Sequence, residues 1–157
     1  MESELGRGSS FTIYFPTAES PLTTTPAIEA MHPEGLGETV LLVEDEEELR
    51  QVIFAYLSLH GYAVLQAVNG EDALQIASEH GKPIHLLLTD IIMPKISGTE
   101  LARELTKKWP DLVTIYMSGY TNRAVYGLES STVGFLQKPF GLGTLLQRMR
   151  EMFAPRD

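Results

Sequence analysis

From Thr39 onward, short apolar runs alternate with amphipathic stretches almost to the end of the chain. The runs occupy residues 40–43, 62–67, 85–89, 113–117 and 133–136. Most are continuous rather than alternating, the pattern of strands buried on both faces. Between them, Leu49, Val52, Ile53, Tyr56 and Leu57 repeat at the i, i+3, i+4, i+7, i+8 spacing of one helix face. Ala73, Leu74, Ile76 and Ala77 mark a second helix. Leu101, Leu105 and Trp109 mark a third, which Pro110 stops. Residues 121–130 give the weakest helix, short and polar. Leu142, Leu145, Leu146, Met149, Met152 and Phe153 define the last, whose first turn Gly141 and Gly143 weaken. Five βα units predict an α/β fold, a doubly wound parallel sheet with helices on both faces.

Residues 17–38 have a different character. Pro, Thr, Gly and Glu dominate and no apolar period appears, so this stretch reads as a flexible linker. The chain has 157 residues, of which 43% are hydrophobic, enough for one core plus a tail. The formal net charge of −9 repels phosphate backbones and argues against nucleic acid as a partner. The absence of cysteine excludes a disulfide scaffold and a thiolate metal site, and fits a reducing, cytoplasmic setting. No apolar run approaches the roughly 20 residues of a membrane span, so no direct membrane contact is expected.

In an open parallel sheet, ligands bind at the carboxyl ends of the strands. The first strand ends in Glu44-Asp45, the third in Asp90, the fourth in Ser118-Gly119 and the fifth in Lys138-Pro139. Three carboxylates, a hydroxyl and an ammonium suit phosphoryl transfer. A carboxylate can act as nucleophile, and the charge gathering on the transferred oxygens calls for cations. Hard oxygen donors suit Mg²⁺, with Mn²⁺ as a substitute. Each piece also has a plainer explanation. Asp45 and Glu48 fit a D-x-x-E helix cap. Asp90 and Ser118-Gly119 fit turns, and Lys138 fits a solvated surface. Their joint placement at strand ends favours chemistry.

The motifs VLLVEDE (40–46), LLTDIIMPKISG (87–98), MSGY (117–120) and FLQKPF (135–140) resemble the receiver domain of two-component signalling. The resemblance covers about residues 39–154. It implies a flavodoxin-like five-stranded sheet of order 2-1-3-4-5. It implies Asp90 as phosphoacceptor, with Glu44, Asp45, Asp90 and the backbone carbonyl of Ile92 as Mg²⁺ ligands. Ser118 and Lys138 would contact the phosphoryl group, Ser118 and Phe135 would form the switch, and Pro139 would follow a cis bond. Ile92 and Tyr120, two positions past Asp90 and Ser118, would tune phosphoryl lifetime by excluding water. The implied partner is a histidine kinase or histidine phosphotransfer domain. A homodimer through the face from the fourth strand to the fifth helix is left open.

The segment SELGRGSSFTIYFP (3–16) is similar to the end of a histidine-kinase ATP-binding domain. Gly6 and Gly8 would lie near ATP phosphates, and 11–15 would form a final strand. Residues 1–16 are then a kinase remnant, and the parent a hybrid sensor histidine kinase, with its membrane attachment open. The isolated receiver would have at most self-phosphorylation and self-dephosphorylation activity. No output domain is expected to follow Asp157. The alternatives are a stand-alone response regulator, a non-catalytic docking receiver, or a small Mg²⁺-dependent phosphatase. The phosphatase needs a second acid or base near the nucleophile, and His32, His60, His80 and His85 lie away from the strand ends.

Overall fold

A computed structural model describes residues 2–4, 8–10, 37–119 and 132–153. The chain divides into two compact units, Met1–Met31 and His32–Asp157. The first holds a two-stranded antiparallel sheet of β1 (Glu2–Glu4) and β2 (Gly8–Ser10). Gly8 therefore begins a strand. Gly6 and the strand expected over 11–15 lie outside the described residues.

The second unit runs β3 (Thr39–Val43), α1 (Glu47–Leu59), β4 (Ala63–Ala67), α2 (Gly70–His80), β5 (Leu86–Asp90), α3 (Gly98–Lys108), β6 (Val113–Ser118), β7 (Val133–Gln137) and α4 (Leu142–Phe153). Its five strands are parallel in the order β4-β3-β5-β6-β7. Counted along the alternation, this is the expected 2-1-3-4-5. The weak helix at 121–130 lies outside the described residues.

Position in the sheet explains the strand patterns. Central β3 is buried at every position, and β5 and β6 at all but their last. Edge strands β4 and β7 are less buried, each with one exposed position and two or more half-buried ones. Two cores result, one on each face. Val40, Leu42, Leu86, Leu88, Ile115 and Met117 meet α1 and α4 on one side. Leu41, Val43, Leu87 and Tyr116 meet α2 and α3 on the other. Each fully buried Leu or Ile contributes roughly 2 kcal/mol.

Helix ends follow local chemistry. Asn69 caps α2 by accepting from the Asp72 N–H at 3.0 Å, and Gly81 closes it at φ 66°. Ser97 and Glu100 form a reciprocal capping box on α3, and Pro110 follows its end at Trp109. The last helix starts at Leu142 despite its glycines, because the Gly141 carbonyl accepts from the Thr144 and Leu145 N–H groups.

Two expectations for α1 fail. The D-x-x-E cap is not formed: Glu46 is the N-cap and makes no side-chain cap bond. The Asp45 carboxylate is thus not taken up by capping. Val52 is 52% exposed, because the buried face centres on Arg50, Ile53 and Leu57.

One glycine sets the spacing beneath the carboxyl ends. A Cβ at Gly98 would lie 2.1 Å from the Asp90 carbonyl oxygen and 3.0 Å from the Thr89 side chain. The first residue of α3 therefore sits directly on the end of β5. Gly98→Ala must push the two apart, and is expected to cost about 1–3 kcal/mol, the usual range for overpacking. Urea denaturation checks this, and an unchanged midpoint contradicts it.

Candidate phosphoacceptor site

The carboxyl ends of β3, β5 and β7 bring Glu44, Asp90 and Lys138 together. Lys138 Nζ donates to Glu44 Oε2 at 2.7 Å and to Asp90 Oδ2 at 2.8 Å. Glu44 is 1% exposed, while the Asp90 and Lys138 side chains are 18% and 20% exposed. The second Asp90 oxygen, Oδ1, accepts from the Ile92 N–H at 3.0 Å. Glu44 Oε1 accepts weakly from the Glu46 N–H at 3.5 Å.

Sheet register explains the convergence. Val43 pairs with Thr89 and Asp90 with Met117, so Glu44 and Asp90 leave neighbouring strands at one level. Ser118 ends β6 one residue past Met117, opposite Gln137. Its carbonyl accepts the Lys138 N–H at 2.7 Å, tying the two residues expected to touch a phosphoryl group. The Lys138–Pro139 bond is cis. Phe135 is half-buried and stacks on Tyr116, ring centroids 5.6 Å apart. Ile92 is 67% exposed beside Asp90. Tyr120 lies outside the described residues.

The charges in this cluster do not balance. Burial pulls the Lys138 ammonium down, but its hydrogen bonds to Asp90 and Glu44, with their charges, outweigh that and raise its pKa. Burial raises the Glu44 carboxyl, and the shared Lys138 does not fully offset it; the Asp90 charge pushes the same way. The ammonium thus gains from two carboxylates, whereas each carboxylate has half an ammonium. Two carboxylates sharing one cation form a site short of positive charge.

Among the described residues, no three His, Cys, Asp or Glu side chains are gathered as a metal cluster. Of the residues expected to hold Mg²⁺, Glu44 and Asp90 are joined through Lys138. Asp45 is exposed at the adjacent position. The donor set still fits a hard divalent cation: it consists of oxygens, it is under-neutralised, and Asp45 is not engaged as a helix cap.

Sequence reasoning assigned Lys138 to the phosphoryl group and gave no sign that it bridges the carboxylates. It also missed Arg50, which is 8% exposed and donates from Nη1 to the Glu44 carbonyl at 2.8 Å. A charged residue on the i, i+3, i+7 line of Ile53 and Leu57 was the available signal. Two histidines hold structural contacts: His85 Nδ1 accepts the Thr39 N–H at 2.9 Å, and the His60 ring lies 2.7 Å from the Tyr56 carbonyl. No described helix is long and apolar enough to cross a membrane.

Five parallel strands in this order, with acids and a lysine at their carboxyl ends, define a flavodoxin-like α/β domain. Residues 40–150 match the response regulator receiver domain, and the chain belongs to that family. It is 34% identical over 166 residues to the sensor kinase CckA of Brucella abortus, a match covering 99% of this chain and 18% of that protein. The chain thus spans about a fifth of that relative. It is 35% identical over 115 residues to the response regulator receiver protein CpdR of Brucella abortus, covering 72% of this chain and 94% of that protein. The crystal structure of the receiver domain from hybrid histidine kinase CckA aligns with 74% of this chain and 99% of that one, at TM-score 0.64 and 35% identity. The response regulator TrrA of Thermotoga maritima, solved with Mg²⁺ and BeF, aligns with 74% of this chain and 99% of that one, at TM-score 0.63 and 30% identity.

Removing the ammonium should expose the charge imbalance. Lys138→Met leaves Glu44 buried and unpaired, and is expected to cost about 2 kcal/mol, below the roughly 3–5 of a fully enclosed pair. Adding Glu44→Gln should restore most of the loss. Urea unfolding of both variants tests this, and a double variant as unstable as the single one would show that the lysine acts through its stem.

Proposed function

We propose that this chain is the phosphoacceptor of a two-component phosphorelay within a hybrid sensor histidine kinase. Asp90 takes a phosphoryl group from a histidine of a kinase or phosphotransfer domain. The observation that carries this is the Lys138 ammonium held between Asp90 and Glu44 at the strand ends, at 2.8 and 2.7 Å. A structural salt bridge needs one carboxylate. A site that takes on a doubly negative phosphoryl group needs a cation already pointed at the nucleophile.

An Asp90 carboxylate oxygen attacks phosphorus, and the bond from phosphorus to the donor imidazole nitrogen breaks. The Ile92 N–H fixes the rotation of the Asp90 carboxylate through Oδ1. Lys138 follows the new charge onto a phosphoryl oxygen, and the Ser118 hydroxyl donates to another. Glu44, Asp45, Asp90 and the Ile92 carbonyl would hold Mg²⁺, or Mn²⁺ in its place, which would supply charge to offset the negative charge developing in transfer. The bond from the Lys138 N–H to the Ser118 carbonyl couples the movements of these two residues, and Phe135 turns inward to complete the switch.

The hybrid-kinase setting is supported by the extent of the CckA match. It covers 99% of this chain, whereas the CpdR match covers 72%. A stand-alone regulator would need no kinase-like segment ahead of its receiver.

Acetyl phosphate with Mg²⁺ should label the wild-type protein and leave Asp90→Asn unlabelled. Equal labelling of the two proteins removes Asp90 from the role. The lifetime of the product is a separate expectation. Ile92, apolar and exposed beside Asp90, cannot orient water, so the aspartyl phosphate should persist for minutes or longer. Ile92→Asn should shorten that time several-fold. Phosphate release from labelled protein within seconds contradicts this.

A further inference from the structure

Among the described residues, two of the Asp, Glu, Lys and Arg side chains are buried, Glu44 at 1% and Arg50 at 8% exposure. They are joined by a bond that does not involve the Glu44 carboxylate. Arg50 Nη1 donates to the Glu44 main-chain carbonyl at 2.8 Å. Burying a guanidinium is costly unless its donors are used. The place it occupies, in line with Ile53 and Leu57, would otherwise take an apolar side chain.

The position of that carbonyl gives the guanidinium a purpose. Glu44 is the first residue past β3. Its N–H still pairs with the Ala67 carbonyl at 3.2 Å, and its carboxylate meets Lys138. Its carbonyl has left the sheet ladder and precedes the first carbonyl accepted within α1, that of Glu46 from the Arg50 N–H at 2.9 Å. The peptide plane between Glu44 and Asp45 aims both acidic side chains. Arg50 is what holds the carbonyl of that plane. The groups acting on the Glu44 carboxyl itself are burial, Lys138, Asp90 and the Glu46 N–H. Arg50 acts on the main chain instead.

We infer that Arg50 is a positioning residue of the acidic pocket: its buried guanidinium locks the Glu44–Asp45 peptide and so presents the two carboxylates to a divalent cation. This role rests on the pocket proposed above. Residues that orient ligand-bearing groups from behind typically contribute roughly 10–100-fold to metal affinity.

The test compares Arg50→Met, Arg50→Lys and the core variant Ile53→Val with wild type, each as the full chain. Two measurements are made. Backbone order parameters at Glu44, Asp45 and Glu46 are read by NMR relaxation without metal, and Mg²⁺ affinity is read by chemical-shift titration. Arg50→Met should lower the order parameters at Asp45 and Glu46 well below those of α1, and weaken Mg²⁺ binding about tenfold. Arg50→Lys, which keeps a charged donor group without the planar guanidinium, should recover part of both. Ile53→Val should move neither, although it too loosens the α1 packing. Order parameters in Arg50→Met that match those in Ile53→Val overturn the inference. Wild-type protein that fails to bind Mg²⁺ removes the acidic pocket, while the order parameters still decide whether Arg50 holds the peptide.

Discussion

One ammonium shared by two carboxylates organises the end of this sheet. Lys138 lies on the chain after β7, Glu44 after β3 and Asp90 at the end of β5. The contact therefore joins the first, third and fifth strands of the alternation across the parallel sheet. It forms only if strand order and register are both correct, because a one-residue slip of a strand would turn its terminal side chain to the other face. The tertiary fold and the charge arrangement thus specify each other. Glu44, nearly sealed from water, is tolerated because the lysine faces it, and the lysine is held because it faces both acids.

Much of this was legible in the sequence. Continuous apolar runs gave the central strands because β3, β5 and β6 are covered on both sides, and period alone was enough. The strand-end residues could be named because parallel topology sends every carboxyl end to one edge of the sheet. The inward face of α1 was misread at Val52 and Arg50 because hydropathy scores a side chain by type, whereas a long charged side chain can be buried for one hydrogen bond. The Asp45–Glu48 pair looked like a cap because spacing shows opportunity and not geometry. In the fold, α1 begins with Glu46 at its N-cap, and no side chain caps it.

The pairing inside the site was out of reach for a different reason. Which of several clustered charges touch depends on distances of a few tenths of an ångström between residues separated by 48 and 94 positions. No local pattern encodes that. The same holds for Gly98, which in sequence is an ordinary turn glycine after Ser97. Only packing reveals that the Asp90 carbonyl occupies the space where its side chain would be.

That contact separates two kinds of information carried by neighbouring positions. Gly98 answers to geometry alone: β5 and α3 cannot meet as they do with any other residue there, whatever reaction the domain performs. Asp90 answers to chemistry, since its side chain points away from that contact toward Lys138. In a descendant that lost the role proposed for Asp90, that position would be free to drift while Gly98 stayed. The two positions read together would then distinguish a silent copy of this domain from a broken one.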